Sequence, residues 1–346
     1  MSLTVRVVIE DPSQVGEARR IARKCAVEAG LSEEETEQVA IVATEAATNI
    51  LKHAGRGEIL INPTLSGQGQ GQPGVEILAL DRGAGMANLA RCMADGYSTA
   101  GSAGQGLGAI SRQSTDTDIF SVAGKGTALL ARWAVSSRSP AQQPAAFLTG
   151  AVNVPKPGQV VCGDAWGVVQ SNGHTTFLLA DGLGHGLEAS LASQDAVRVL
   201  REHPGLAPKD LLSYVHSALR GSRGAAVAVA QVDPERGVVV FSGVGNIAAQ
   251  IYGGSKINQR LVSVNGTAGH QVHQMREFSY PWSRNGLLVM YSDGLGSSTS
   301  LEAQPAAALH DPTLIAGFLY REFSRGTDDA TVLVAREIRD GGKEVS

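Results

Sequence analysis

The chain has 346 residues, of which 43% are hydrophobic and 18% charged, and its formal net charge is −4. That apolar content supports buried cores and excludes a disordered chain, and the length points to about two domains. So mild a charge gives no electrostatic drive toward nucleic acid. The 42 glycines are about 12% of the chain against a usual 7% or so, follow no collagen period, and need another explanation. Cys25, Cys92 and Cys162 are scattered and form no CxxC pair, which suits reduced thiols and neither a disulfide framework nor a zinc site. The N-terminus lacks the apolar core of a signal peptide, and no run approaches the ~18 apolar residues of a membrane span. The expectation is a cytoplasmic protein with neither membrane nor nucleic acid as partner.

In chain order, Leu3 to Ile9 reads as a strand and Gly16 to Ala29 as a helix. A second helix runs through Leu51 and starts at a capping box of Ser32 and Glu35. Strands at Glu58 to Leu65 and Gly74 to Asp81 flank a glycine-rich turn. Helices follow at Met86 to Met93 and Leu107 to Gln113, then strands at Asp118 to Val122 and Thr127 to Trp133. This order suggests one sheet with helices on one face. The stretch from Val135 (VSSRSPAQQPAAFLTG) reads as a linker. Beyond it, strands are expected at Gln159 to Val161, Ala165 to Gln170 and Thr175 to Ala180, and helices at Leu187 to Glu202 and Pro208 to Arg220. Further strands are expected at Ala225 to Asp233, Gly237 to Val244, Ala248 to Tyr252, Gly286 to Ser292 and Ala330 to Arg336. Many strands around one helical pair suggest two packed sheets flanked by helices.

The first half carries four chemical signals. Glu45 and Asn49 lie four residues apart on one helical face. An amide oxygen and a carboxylate suit Mg²⁺ or a positioned water, although the pair alone is a polar stripe. Asp81-Arg82-Gly83-Ala84-Gly85 puts a carboxylate at a strand end beside glycines that allow close backbone approach; alone it is a tight turn. GSAGQGLG feeds a helix, so its N–H groups can cradle phosphate, but no GK[ST] follows and no strand directly precedes it. Gly124-Lys125-Gly126-Thr127 reads as a hairpin turn.

Together, in this order and spacing, the four resemble the GHKL ATPase family, over about residues 1–134. The resemblance implies a Bergerat-type α/β sandwich with one mixed sheet. It implies that Asp81 bonds adenine, with Gly83, Gly85, Gly104, Gly106, Leu107, Gly108 and Thr127 around ATP. It implies that Asn49 holds Mg²⁺, that the Gly104 to Gly108 loop is a lid, and that Glu45 is the base toward the phosphoryl acceptor. The short lid and the ending GTALLARW resemble the small serine kinases of bacterial anti-sigma and stressosome switches.

The second half places carboxylates at strand ends: Asp164, Asp181-Gly182, Asp293-Gly294 and Asp328-Asp329. Each Asp-Gly alone is a common turn. Four acidic strand ends offer oxygen-only ligands, which suit Mg²⁺ or Mn²⁺. Their order, GD…ADG…SDG…DDAT, with GVGN and NGTAGH, resembles the PPM metal-dependent Ser/Thr phosphatases of the stage II sporulation protein E branch, over about residues 150–337. The resemblance implies an αββα sandwich at 150–338, after a linker at 135–149 and before a tail at 339–346. It implies metal ligands at Asp164, Asp181, Gly182, Asp293 and Asp328, with Asp181 and Asp293 catalytic. Leu183 stands where many relatives carry a leaving-group His, so that acid is unassigned, with His185 as a candidate. No arginine before Asp164 matches the relatives' phosphate-gripping one, and Lys156 offers no fork.

The combination implies opposed reactions on one regulatory switch. An ATP/Mg²⁺-dependent serine kinase would be joined to a Mn²⁺/Mg²⁺-dependent phosphoserine/threonine phosphatase. The substrate implied is a STAS-type antagonist or stressosome-like protein, with a sigma factor as a further partner. The alternative is an N-terminal domain that binds ATP and a partner without phosphoryl transfer, controlling an active phosphatase.

Overall fold

The computed structural model describes residues 4–64, 73–93, 106–135, 145–253, 258–272, 274–284 and 286–338. The chain forms two compact units. The first is Met1–Pro140 with Leu309–Arg321, and the second is Ala141–Ala308 with Glu322–Ser346.

In the first unit, β1 (Val5–Ile9) leads into α1 (Pro12–Ala29) and α2 (Glu33–His53). Both helices begin at reciprocal caps: Asp11 with Gln14, and Ser32 with Glu35. Three glutamates in the first turn of α2 and Lys52 and His53 in its last complement the helix dipole. β2 (Gly57–Thr64), β3 (Gly74–Asp81), α3 (Leu89–Met93), α4 (Gly106–Gln113), β4 (Asp116–Ser121) and β5 (Thr127–Ala134) complete the N-terminal part. The sheet order is β1-β2-β3-β5-β4. All four pairings are antiparallel, where the resemblance implied a mixed sheet. The cause is the β4–β5 hairpin: β5 inserts beside β3, so direction alternates across every neighbour. The expected helix from Met86 is shorter, because the Met86 N–H donates to Ser121 Oγ and Asn88 Oδ1 caps the Arg91 N–H.

Alternation along the strands gives this sheet two apolar faces. Ile59, Ile61, Ile77 and Leu129 pack with α1 and α2. Leu60, Leu78, Leu80 and Leu130, on the other face, are buried too. The segment Leu309–Arg321, which chain order alone places with the second half, belongs to this unit. It includes most of α7 (Pro312–Phe323), whose Gly317 lies against Leu78 and Leu80 and whose Phe318 meets Phe120 edge-on at 5.2 Å. Arg132 Nε pairs with Glu76 Oε1 at 2.7 Å, and Arg132 Nη2 with Asp311 Oδ1 at 3.1 Å, which pins the segment.

The second unit holds two five-stranded antiparallel sheets. Their strands are β6 (Phe147–Val154), β7 (Asp164–Ser171), β8 (His174–Gly182), β9 (Ala225–Asp233), β10 (Val238–Val244), β11 (Ala248–Tyr252), β12 (Asn258–Leu261), β13 (Phe278–Pro281), β14 (Leu287–Tyr291) and β15 (Ala330–Glu337). The orders are β13-β10-β9-β8-β7 and β12-β11-β14-β15-β6. Phe147, Phe177, Phe241, Leu288, Met290 and Leu333 fill the space between them. α5 (Leu187–Glu202) and α6 (Pro208–Ala218) cover the outer face of the first sheet through Ala192, Ala196, Leu211 and Val215. β6 starts inside the stretch read as linker. The strand expected at Gln159 to Val161 is a turn instead: Gly158 has φ +84°, the Gln159 N–H returns to the Lys156 carbonyl, and two prolines interrupt any ladder.

Candidate functional site

The first site gathers at one corner of the first sheet. A Cβ on Gly83 would stand 2.7 Å from Ala54 Cβ and 2.8 Å from the His53 carbonyl, so the turn after β3 lies on the C-terminal end of α2, one turn past Asn49. Gly126, at φ +81°, has room for no Cβ because the Asp81 carbonyl oxygen fills that space. The Gly124 N–H donates to the Ala84 carbonyl at 2.7 Å. Three of the sequence signals are thereby brought together: the end of α2, the Asp81–Gly85 turn and the β4–β5 turn. Asp81 Oδ1 accepts the Gly83 N–H at 2.8 Å. Burial pushes the Asp81 carboxyl above the usual range, opposed by the Gly83 N–H, the Arg321 charge and the Thr127 N–H. Glu45 and Asn49 are half-buried on α2, and α4 is anchored by buried Ile110. Gly106, Leu107 and Gly108 begin that helix, whereas Gly104 lies outside the described residues.

The second site joins the two sheets of the second unit. Asn172 (φ 52°) and Gly173 (φ 78°) form the turn between β7 and β8, the positive-φ pair that a two-residue hairpin prefers. That turn sets the register in which Asp164 faces Asp181. The second sheet contributes Asp293, just past β14, and Asp328 and Asp329, just before β15. Buried Ser292 ties the sheets together: its hydroxyl donates to Asp164 Oδ2 at 2.7 Å and accepts the Thr331 N–H at 3.0 Å. Asn153 Nδ2 donates to the Asp164 carbonyl, and the Lys156 N–H to Asp329 Oδ1. Asn246 Nδ2 donates to Asp293 Oδ2 at 2.6 Å.

Burial pushes the carboxyls of Asp164 and Asp181 well up. Asp181 is raised further by Asp164 and Asp293. Asp293 is also raised, by burial and then by Asp328. Carboxylates held this close cannot all be ionised unless a cation or a shared proton balances them. Asp164 Oδ1 and Asp329 Oδ2 are buried and have no hydrogen-bond partner. Free lone pairs on an oxygen-only set fit Mg²⁺ or Mn²⁺. Among the described residues no group of three His, Cys, Asp or Glu side chains is already placed to hold a metal ion. The Cys162 thiol is pushed up by burial and by Asp164 and Asp329, which makes it an unreactive packing group. Leu183 and His185 are exposed in the turn after Asp181.

Sequence reasoning gave no role to Ser292, Asn246 or Asp329. Ser292 directly precedes Asp293, and Asn246 ends the GVGN likeness. The sequence signal that pairs Asp164 with Asp181 is the Asn-Gly turn between their strands.

Residues 8–133 match the histidine kinase-like ATPase domain, and residues 171–337 match stage II sporulation protein E. Serine/threonine-protein kinase RsbT of Bacillus subtilis is 34% identical over 117 residues, 34% of this chain and 86% of its own length. Phosphoserine phosphatase RsbX of the same organism is 21% identical over 143 residues, 40% of this chain and 70% of its own. A solved structure, described as the bacterial stressosome adapted to control secondary messenger signalling, is 27% identical. Its TM-score is 0.52, over 55% of this chain and 99% of that one. No helix among the described residues is long and apolar enough to cross a membrane. The chain therefore belongs, through its first unit, to the histidine kinase-like ATPase family, and its residues 171–337 are similar to stage II sporulation protein E.

Proposed function

We propose that the chain writes and erases one regulatory phosphoserine: its first unit transfers phosphate from ATP to a serine, and its second hydrolyses the product. The observation that carries this reading is the carboxylate cluster of buried Asp164 with half-buried Asp181 and Asp293, in one chain with the corner that gathers Asp81, Gly83 and the end of α2.

In the kinase reaction Asp81 accepts from the adenine amino group, and Gly83 and Gly85 let the backbone approach. Asn49 offers its amide oxygen to the Mg²⁺ of Mg·ATP. Gly106, Leu107, Gly108 and Thr127 line the phosphates, with N–H groups at the start of α4 facing negative charge. Glu45 takes the proton of the seryl hydroxyl as the phosphoryl group moves in line. In the phosphatase reaction Asp164, Asp181, the Gly182 carbonyl, Asp293 and Asp328 would hold divalent cations, which would supply activation of an attacking water and charge neutralisation of the phosphate. Ser292 holds Asp164 Oδ2, so that Oδ1 stays free for its ligand. Support for a shared substrate comes from the two curated relatives, named as a serine/threonine kinase and a phosphoserine phosphatase. The substrate class proposed is a STAS-type antagonist or stressosome-like protein.

The test is ATP-dependent labelling of such a protein by the full chain, followed by Mn²⁺-dependent loss of the label. Asn49→Ala is expected to abolish the first step alone and Asp181→Ala the second alone. Labelling by the Asn49→Ala chain refutes the kinase assignment. Unchanged dephosphorylation by Asp181→Ala refutes the phosphatase assignment.

A further inference from the structure

The phosphatase reading leaves GVGN, Gly243 to Asn246, without a purpose. Resting on that reading, we propose that Asn246 is a positioning residue that orients Asp293 for cation binding. Its Nδ2 lies 2.6 Å from Asp293 Oδ2. The amide nitrogen must face the carboxylate, because the amide oxygen would repel it. One Asp293 oxygen is thereby held, and Oδ1 is left for the cluster.

The backbone is built to deliver this side chain. Gly245 has φ +95°, and its N–H donates to the Val264 carbonyl at 2.9 Å. A Cβ on Gly245 would stand 2.5 Å from Ala226 Cβ, and Ala226 is the strand partner of Asp181. The turn between β10 and β11 is thus seated beside the cluster by close backbone contact. Buried Val244 and Ile247 anchor it on either side of an exposed Asn246. An exposed residue held by its neighbours contributes little to the core, so its contact with Asp293 is what the arrangement secures. Asparagine suits this position because it donates without adding charge. An aspartate here would set two carboxylates about as close as a hydrogen bond, in a cluster already short of positive charge. Partners that orient a metal ligand in this way typically change cation affinity by about 10–100-fold when removed.

The experiment is calorimetric titration of Mn²⁺ into the full-length protein, with the melting temperature of the metal-free protein as a second readout. Asn246→Ala is expected to weaken Mn²⁺ binding at least about tenfold with an unchanged melting temperature, and Asn246→Gln, which keeps the donor, to recover part of the loss. Wild-type affinity in Asn246→Ala overturns the inference, and so does a loss that appears only together with a lower melting temperature. Asp181→Ala run alongside separates the two readings. If Asp181→Ala loses binding while Asn246→Ala keeps it, only the role of Asn246 falls. If the wild-type protein binds no Mn²⁺, the phosphatase reading falls and the inference with it.

Discussion

The cluster of Asp164, Asp181 and Asp293 makes the metal-free protein sensitive to pH in a direction opposite to that of salt-bridged carboxylates. Burial and mutual repulsion raise the folded-state affinity of the Asp164–Asp181 pair for protons above its unfolded value, into the neutral range. Between the ordinary carboxylate value and that raised one, the folded state binds more protons than the unfolded state. Stability conferred on the metal-free fold is therefore greatest at acidic pH and falls as pH rises. One shared proton gives a slope of up to about 1.4 kcal/mol per pH unit, or about 3 kcal/mol across two units. For a unit of this size, that lowers the melting temperature by roughly 6–12 °C. The assay is thermal unfolding of chelator-treated protein between about pH 5.5 and 7.5, repeated with Mn²⁺. Cations replace the proton, so Mn²⁺ should flatten or reverse the trend. A metal-free melting temperature that is constant or rises over this range refutes the account of a crowded, charge-starved cluster.

Gly126→Ala should destabilise the first unit by about 1–3 kcal/mol or more and weaken binding of a fluorescent ATP analogue, because the new Cβ collides with the Asp81 carbonyl. Gly124→Ala is its control: φ is +76° but the space is open, so only the backbone cost should appear in the melt. Arg132→Ala should cost about 3–5 kcal/mol in denaturant unfolding, since it strands the carboxylates of Glu76 and Asp311. Ser292→Ala leaves Asp164 Oδ2 and the Thr331 N–H without their buried partner. It should cost about 1–3 kcal/mol and lower Mn²⁺ affinity in the same titration.

Local chemistry made much of this protein readable in advance. The capping box of Ser32 and Glu35, the 3.6-residue apolar period of α2 and the alternation of the strands are short-range signals, and the elements they mark are present, save the strand expected at Gln159 to Val161. Gly83, Gly85 and Gly126 were legible as close approaches because neighbouring chain fills the space a Cβ would need there. Other elements gave no such signal. Nearly every residue of α7 is buried, so it shows no amphipathic stripe and reads as an apolar run of uncertain type. β6 sits beside a polar stretch and owes its strand form to pairing with distant β15.

The sequence alone determined the residue types: which carboxylates exist, that they stand at strand ends beside small residues, and that oxygen is the only donor offered. It also determined the helix starts and the tight turns, because those depend on neighbours a few residues away. Tertiary structure decided which carboxylates meet. A hairpin register set Asp164 against Asp181, while a hydroxyl from the other sheet fixed Asp164 and an amide from a third loop fixed Asp293. It also decided that Leu309–Arg321 belongs with the ATP-binding unit. These are contacts between residues up to 262 positions apart, made by burial and hydrogen bonding that no local pattern encodes.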